Sequence, residues 1–169
     1  MISNLCATVP DYPEPGVLFQ DLTPVFADGP AMRLVIDALL GAFPEAGFDA
    51  VAGVEARGFL LAGAAAYASG TGTLTIRKAG KLPRATYREQ YQLEYGQSAI
   101  ELSPVDLPAG SRVLVLDDVL ATGGTFAATA RLLQQAGLEV AGFGVVLELS
   151  ELGGRSALAG YPVHSLLQI

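Results

Sequence analysis

Two adjacent carboxylates followed by a glycine turn are the residues of this chain best suited to chemistry. They lie in VLVLDDVLATGGT, Val113 to Thr125, where four apolar residues run into Asp117 and Asp118. Ala121, Thr122, Gly123, Gly124 and Thr125 come next and open an alanine-rich run. In open α/β sheets, ligands collect at the carboxyl ends of strands. A helix that starts there offers unpaired N–H groups and the positive end of a dipole, which suit a phosphate. Glycines let the backbone come close, and Thr122 and Thr125 add hydroxyl donors. Carboxylates that accept from ribose hydroxyls, beside a loop that takes a 5′-phosphate, would serve a sugar phosphate. The stretch is neither a Walker A loop nor a G-x-G-x-x-G fingerprint. Taken alone, two acids and two glycines also fit a plain strand end with an Asp cap and a tight turn.

A second group with chemical potential is cationic. Of ten Lys and Arg residues, five fall between positions 77 and 88: Arg77, Lys78, Lys81, Arg84 and Arg88. Either they face an anion or they form an ordinary solvated charged face. The remaining candidates are few. A single cysteine, Cys6, and a single histidine, His164, allow no intrachain disulfide and no recognisable zinc site. That usage fits a reducing cytoplasm. Cys6 reads as a spare or lightly buried thiol, and His164, in PVHSLLQI, as a packed strand residue. The net charge of -7 argues against a nucleic-acid or anionic-membrane partner held by bulk charge.

These residues need elements to position them. The 169 residues, half of them hydrophobic, suit one domain, 1–169, with a sizeable core. MISNLCATVP has no signal-peptide pattern. Gly58 to Ile76 is uncharged and long enough to span a bilayer, but its SGTG turn predicts a buried helix, a turn and a strand. Residues 1–27 contain TVPDYPEPGVLFQDLTP, with four prolines, and read as an ordered irregular arm. Asp28 and Pro30 mark a helix start, and Leu34, Val35, Leu39 and Phe43 form its apolar face. Strands are expected at FDAVAGVE, TLTIRK, RVLVLDD, EVAGFGVVLEL and PVHSLLQI, with helices at GFLLAGAAAYA and at FAATARLLQQAG, the latter ending at Gly137. YQLEYG and SAIELSP pair as a hairpin, while 79–90 is polar without clear period. Strands separated by helices imply an α/β fold with a mostly parallel sheet flanked by helices.

The thirteen-residue stretch resembles the phosphoribosyl-diphosphate (PRPP) motif of the type I phosphoribosyltransferases. VPDYPEPGVLFQDLTP, GVEARGF, RKAGKLP and YQLEYG occur in the order found in the adenine phosphoribosyltransferase family, and the likeness runs from about Val9 to the C-terminus. It implies the fold of that family, with a hairpin lid region over 78–100 and a small N-terminal hood. It further implies a purine-salvage reaction: the 5-phosphoribosyl group passes from PRPP to adenine, giving AMP and pyrophosphate. On this resemblance Asp117 and Asp118 hold the ribose, and Ala121 to Thr125 hold the 5′-phosphate. Arg57, Arg77, Lys78 and Lys81 would meet pyrophosphate, with the 77–81 cations reaching a neighbouring subunit of a homodimer. Glu94 of LEYG would be the acid/base partner at the purine N7. Leu18, Phe19 and main-chain groups at Arg57 would contact adenine. Mg2+ would arrive mainly on PRPP or pyrophosphate oxygens, and a cis peptide would lie near Glu55-Ala56.

The family pattern also has a departure here, since Gln20 stands where a basic residue is common after the aromatic. Tyr87, Tyr91 and Tyr95 either pack on a lid or fill the hairpin. Transfer to xanthine, hypoxanthine or orotate, and a non-enzymatic PRPP-binding regulator, are the competing readings. The LEYG glutamate and the GVLF arm argue against the other bases. A regulator would carry an added nucleic-acid-binding segment and a basic surface, and this chain has neither.

Overall fold

The computed structural model describes residues 2–12, 14–44, 47–84, 86–92, 97–104 and 107–169. The amino-terminal arm is more regular than its prolines predict. After a short helix α1 (Ile2–Leu5), strands β1 (Ala7–Pro10) and β2 (Leu18–Asp21) pair antiparallel, with Val9 opposite Phe19. Pro10 sits at the strand end, where its missing N–H costs no ladder bond. Helix α2 (Thr23–Ala27) leads into α3 (Gly29–Gly41). Asp28 caps α3 as its position predicts, accepting from the Ala31 N–H at 2.8 Å. Ala31, Val35, Ile36 and Leu39 form its buried face.

The wholly buried strand β3 (Ala50–Val54) feeds α4 (Gly58–Ser69), which ends at Gly70 in the left-handed conformation. Strand β4 (Gly72–Lys78) follows. The uncharged stretch is therefore helix, turn and strand, and no helix among the described residues is long and apolar enough to cross a membrane. Strands β5 (Tyr87–Gln92) and β6 (Gln97–Leu102) form the antiparallel hairpin. Residues 87–90, expected to lack period, belong to β5. Its inward face carries Tyr87, Glu89 and Tyr91, and the polar Glu89 hides the alternation.

Strand β7 (Arg112–Leu120), helix α5 (Gly124–Gln135), strand β8 (Glu139–Glu148), a 3-10 turn at Gly154–Leu158 and strand β9 (Val163–Gln168) complete the chain. The seven-stranded sheet has the order β5-β6-β4-β3-β7-β8-β9, parallel from β4 through β9 and antiparallel at the hairpin edge. Period-two alternation divides its side chains between two cores. Ala50, Ala52, Val113 and Val115 pack toward Phe126 and Leu132 of α5. Val51, Leu114 and Leu116 pack toward Val35, Leu39 and Leu61 of α3 and α4. Helices on both faces explain why β3 and β7 read as unbroken apolar runs. Burial of each such Leu or Val is worth about 1.5–3 kcal/mol, and it holds the carboxyl ends of β3 and β7 side by side.

His164 departs from expectation. It lies on β9 but is exposed, since β9 is the sheet's edge, and its ring meets Phe43 edge-on at 6.4 Å. Cys6 is half-buried, and burial, with the Asp21 charge, pushes its thiol above the usual range.

Candidate active site

The two acids lie within β7, not at its end. Val119 and Leu120 still pair with Leu147 and Glu148 of β8, so the strand runs three residues past Asp117 before the chain turns. Gly123, at φ +80, caps α5 in a conformation that side chains resist. Asp117 and the segment Val119 to Phe126 surround a cavity of about 90 Å³, the volume of a few water molecules at about 30 Å³ each. The loop 121–125 and the start of α5 thus form a concave wall around it.

Asp117 and Asp118 have different surroundings. Asp117 accepts from the Asp118 N–H at 2.8 Å. Burial, reinforced by the Asp118 charge, raises its carboxyl well above the usual carboxylate range. Gly58, the first residue of α4, makes room for it: a Cβ there would lie 3.1 Å from Asp117 Oδ1 and 2.7 Å from the Leu116 carbonyl oxygen. Asp118 is buried, and its Oδ2 lies 3.0 Å from Arg57 Nε. That oxygen is buried and makes no aligned hydrogen bond among the described residues, so charge attraction holds the pair.

Arg57 also links the acids to the arm. Its Cζ lies 5.6 Å from the centroid of the Phe19 ring, within cation–π range. Tyr12 meets Phe19 edge-on at 5.1 Å. Val9, Tyr12, Phe19, Asp21, Thr23 and Arg57 line a cavity of about 340 Å³, large enough for a small planar ligand. Phe19 and Arg57 come together there, whereas Leu18 is 65% exposed and does not line it. Val9, Tyr12, Asp21 and Thr23 escape sequence reasoning because hairpin pairing brings them together. Only the repeated aromatic character of the arm hints at it. Asp21 accepts from the Thr23 hydroxyl at 2.6 Å, which with the Thr23 N–H holds its carboxyl below the usual range. Gln20 accepts from Thr8 Oγ1 at 3.1 Å, a bond inside the arm.

The clustered cations have a local counter-ion that the sequence reading passed over. Glu55 Oε1 accepts from Lys81 Nζ at 2.6 Å, and Oε2 accepts from the Lys78 N–H at 2.8 Å. Arg77 Nε stands 3.5 Å from Oε2. The Lys81 hydrogen bond leads the effects that hold the Glu55 carboxyl below its usual range. Lys78 points elsewhere, lining a second opening with Arg88, Gln90 and Gln97. The peptide bond between Glu55 and Ala56 is cis. The acid in GVEARGF was the available signal for this hub, since it is placed between a strand and Arg57.

The hairpin lies along α5. Gln135 Nε2 donates to Glu89 Oε2 at 2.6 Å, Arg131 pairs with the same carboxylate, and Tyr91 Oη lies 3.5 Å from Thr125 Oγ1. Strand β5 therefore ends beside the 121–125 loop. Glu94 and Tyr95 lie outside the described residues.

Comparison with known proteins matches residues 26–157 to the phosphoribosyl transferase domain family. The chain is 70% identical to an adenine phosphoribosyltransferase of Renibacterium salmoninarum, over 99% of this chain and 92% of that one. It is 66% identical to the protein of that name from an Arthrobacter species, over 100% and 91%. The crystal structure of adenine phosphoribosyltransferase from Thermoanaerobacter pseudethanolicus is similar with a TM-score of 0.95 at 40% identity, covering 99% and 98%. The Saccharomyces cerevisiae enzyme, in complex with an imino-altritol bisphosphate and adenine, has a TM-score of 0.91 at 38% identity, covering 98% and 96%.

Proposed function

This chain belongs to the adenine phosphoribosyltransferase family, and from that premise we propose that it transfers the 5-phosphoribosyl group of PRPP to adenine, giving AMP and pyrophosphate. The observation that carries the reading is a continuous line of groups: phosphate-type cradle, paired acids, Arg57, and an aromatic cavity at Phe19. These are the parts of a nucleotide laid end to end. In the reaction, adenine N9 forms a bond to the anomeric carbon as the bond to the pyrophosphate oxygen breaks. The electron pair leaves with pyrophosphate, and the purine gives up one proton. Positive charge builds on the sugar and negative charge on the leaving group, as in other glycosyl transfers.

The roles divide accordingly. The amides of 121–125, with the Thr122 and Thr125 hydroxyls, take the 5′-phosphate. Asp118, and Asp117 once ionised, accept from ribose hydroxyls. Arg57 serves pyrophosphate in its own chain's site, Arg77, Lys78 and Lys81 serve that of a neighbouring subunit, and Glu55 keeps Arg77 and Lys81 oriented. Phe19 offers a ring face to adenine, and main-chain groups at Arg57 read its edge. Glu94 exchanges the proton at N7. The 79–90 segment excludes water that would otherwise intercept the activated sugar.

Among the described residues no three His, Cys, Asp or Glu side chains gather as a metal cage. Mg2+ would be carried mainly on PRPP or pyrophosphate oxygens, which are hard donors of the kind it prefers. When bound, the ion neutralises the leaving group's charge. We read residues 1–169 as one phosphoribosyltransferase domain acting as a homodimer in the cytoplasm.

The test is a panel of bases with purified protein. Adenine with PRPP and Mg2+ should release pyrophosphate, and hypoxanthine, xanthine and orotate should not. Turnover on another base but not adenine overturns the reading. Chelating the divalent ion with EDTA should abolish turnover, and added Mg2+ should restore it.

A further inference from the structure

One buried carboxylate takes no part in the chemistry above. Glu148 ends β8 at 5% exposure, paired with Leu120, the last residue of β7 before the glycine loop. Arg155 Nε donates to its two oxygens at 2.8 and 3.0 Å. The same guanidinium donates to the Val163 carbonyl at 2.9 Å and to Ser165 Oγ at 2.9 Å. Ser165 Oγ in turn donates to Glu148 Oε2 at 2.6 Å. Burial alone would raise the Glu148 carboxyl, but bonds from Arg155 and Ser165 hold it below the usual range. One planar fork thus ties the end of β8, the 3-10 turn and β9 together, which a lysine's point charge cannot do.

The neighbouring residue in that turn, Gly154, meets the glycine loop. A Cβ on Gly154 would collide with the Ala121 carbonyl oxygen and come within 2.9 Å of the Leu120 side chain. A Cβ on Gly123 would collide with the Gly154 carbonyl and lie 3.0 Å from the Ala157 Cβ. Two backbones therefore press on each other through their glycines. The front one forms the cradle, and the back one carries Arg155. Arg155 itself does not line the cavity, so any influence passes through that backbone contact.

We propose that Arg155, anchored by Glu148, is a positioning residue for the phosphate cradle: it fixes the Gly154 turn as the back wall that shapes Ala121 to Gly123. The inference rests on the proposed assignment of that cradle to the 5′-phosphate. Donors held in place before the ligand arrives need no reorganisation when it binds. A wall that moves would leave those amides misaimed, and the loss would fall on phosphate-bearing ligands.

The experiment compares wild type, Arg155→Ala and Arg155→Lys. AMP affinity is measured by calorimetry well below each melting midpoint, alongside KM for PRPP and for adenine. Arg155→Ala should weaken AMP binding at least tenfold and raise the PRPP KM similarly, leaving the adenine KM within twofold. Arg155→Lys, which keeps the charge and loses the fork, should weaken AMP binding at least threefold. It decides the question if the alanine variant does not fold. A general loss of structure would lower the melting temperature without separating the two KM values. AMP affinity within twofold of wild type in the folded variants overturns the inference, as does an equal rise in both KM values. Wild-type protein that does not bind AMP overturns the functional reading and this inference with it.

Discussion

At Asp117, burial and a neighbouring charge oppose the ionised form that a ribose hydroxyl needs as acceptor. A carboxyl raised in the folded state binds its proton more tightly than in the unfolded chain. Its stabilising effect is complete below the unfolded value of about 3.9 and is lost as pH rises toward and through the folded value. Asp117→Asn keeps the oxygen that accepts from the Asp118 N–H and removes that penalty. Its melting temperature should exceed wild type at pH 7, and the difference should shrink as pH falls toward 4. AMP affinity should fall at the same time. A difference that grows on acidification would reverse the sign of the argument. Glu94→Gln tests the other acid. Its help is confined to the transition state, so kcat should fall by about 10²-fold or more with little change in the PRPP KM. Wild-type turnover would remove Glu94 from the mechanism.

Among the elements, α5 borders the cavity at its first turn and docks the hairpin along its body. Gly123 shows how strict that first turn is. Its φ of +80 and its contact with the Gly154 carbonyl leave no room for a side chain. Gly123→Val should cost about 1–3 kcal/mol in backbone strain alone and weaken AMP binding at least tenfold, read by calorimetry. Farther along the helix, Glu89 joins β5 to Arg131 and Gln135. Arg131 is half-exposed, so solvent screens the pair, and Glu89→Ala should cost no more than about 1 kcal/mol. A thermal scan checks this. A larger loss would show that β5 depends on the clamp for its packing.

For the whole molecule, the question is how many chains complete one site. Arg77 and Lys81 already pair with Glu55 of their own chain, and they remain partly exposed, so a neighbouring subunit's pyrophosphate could compete for them. An Arg77→Ala subunit mixed with a Gly123→Val subunit should recover activity if sites are shared across a homodimer, because one mixed site then carries neither defect. Mixtures that stay at the level of the separate variants would confine each site to one chain.

Much of this was legible in the residues themselves. The unbroken apolar run of β7 implies a sheet covered on both faces, Asp28 marks the start of α3, and Ala121 to Thr125 mark a cradle at a helix start. Each is a local signal, carried by backbone preference or by spacing within a few residues. Tertiary structure decided the rest. The arm became a hairpin whose pairing gathers Val9, Tyr12, Phe19 and Asp21 into a cavity with Arg57. Glu55 became a counter-ion to residues more than twenty positions away, and Gly154 became the wall behind Gly123. Spacing along a chain encodes what its own turn of helix or strand will do. It does not encode which distant backbone will arrive at contact distance, because burial of the shared core sets that.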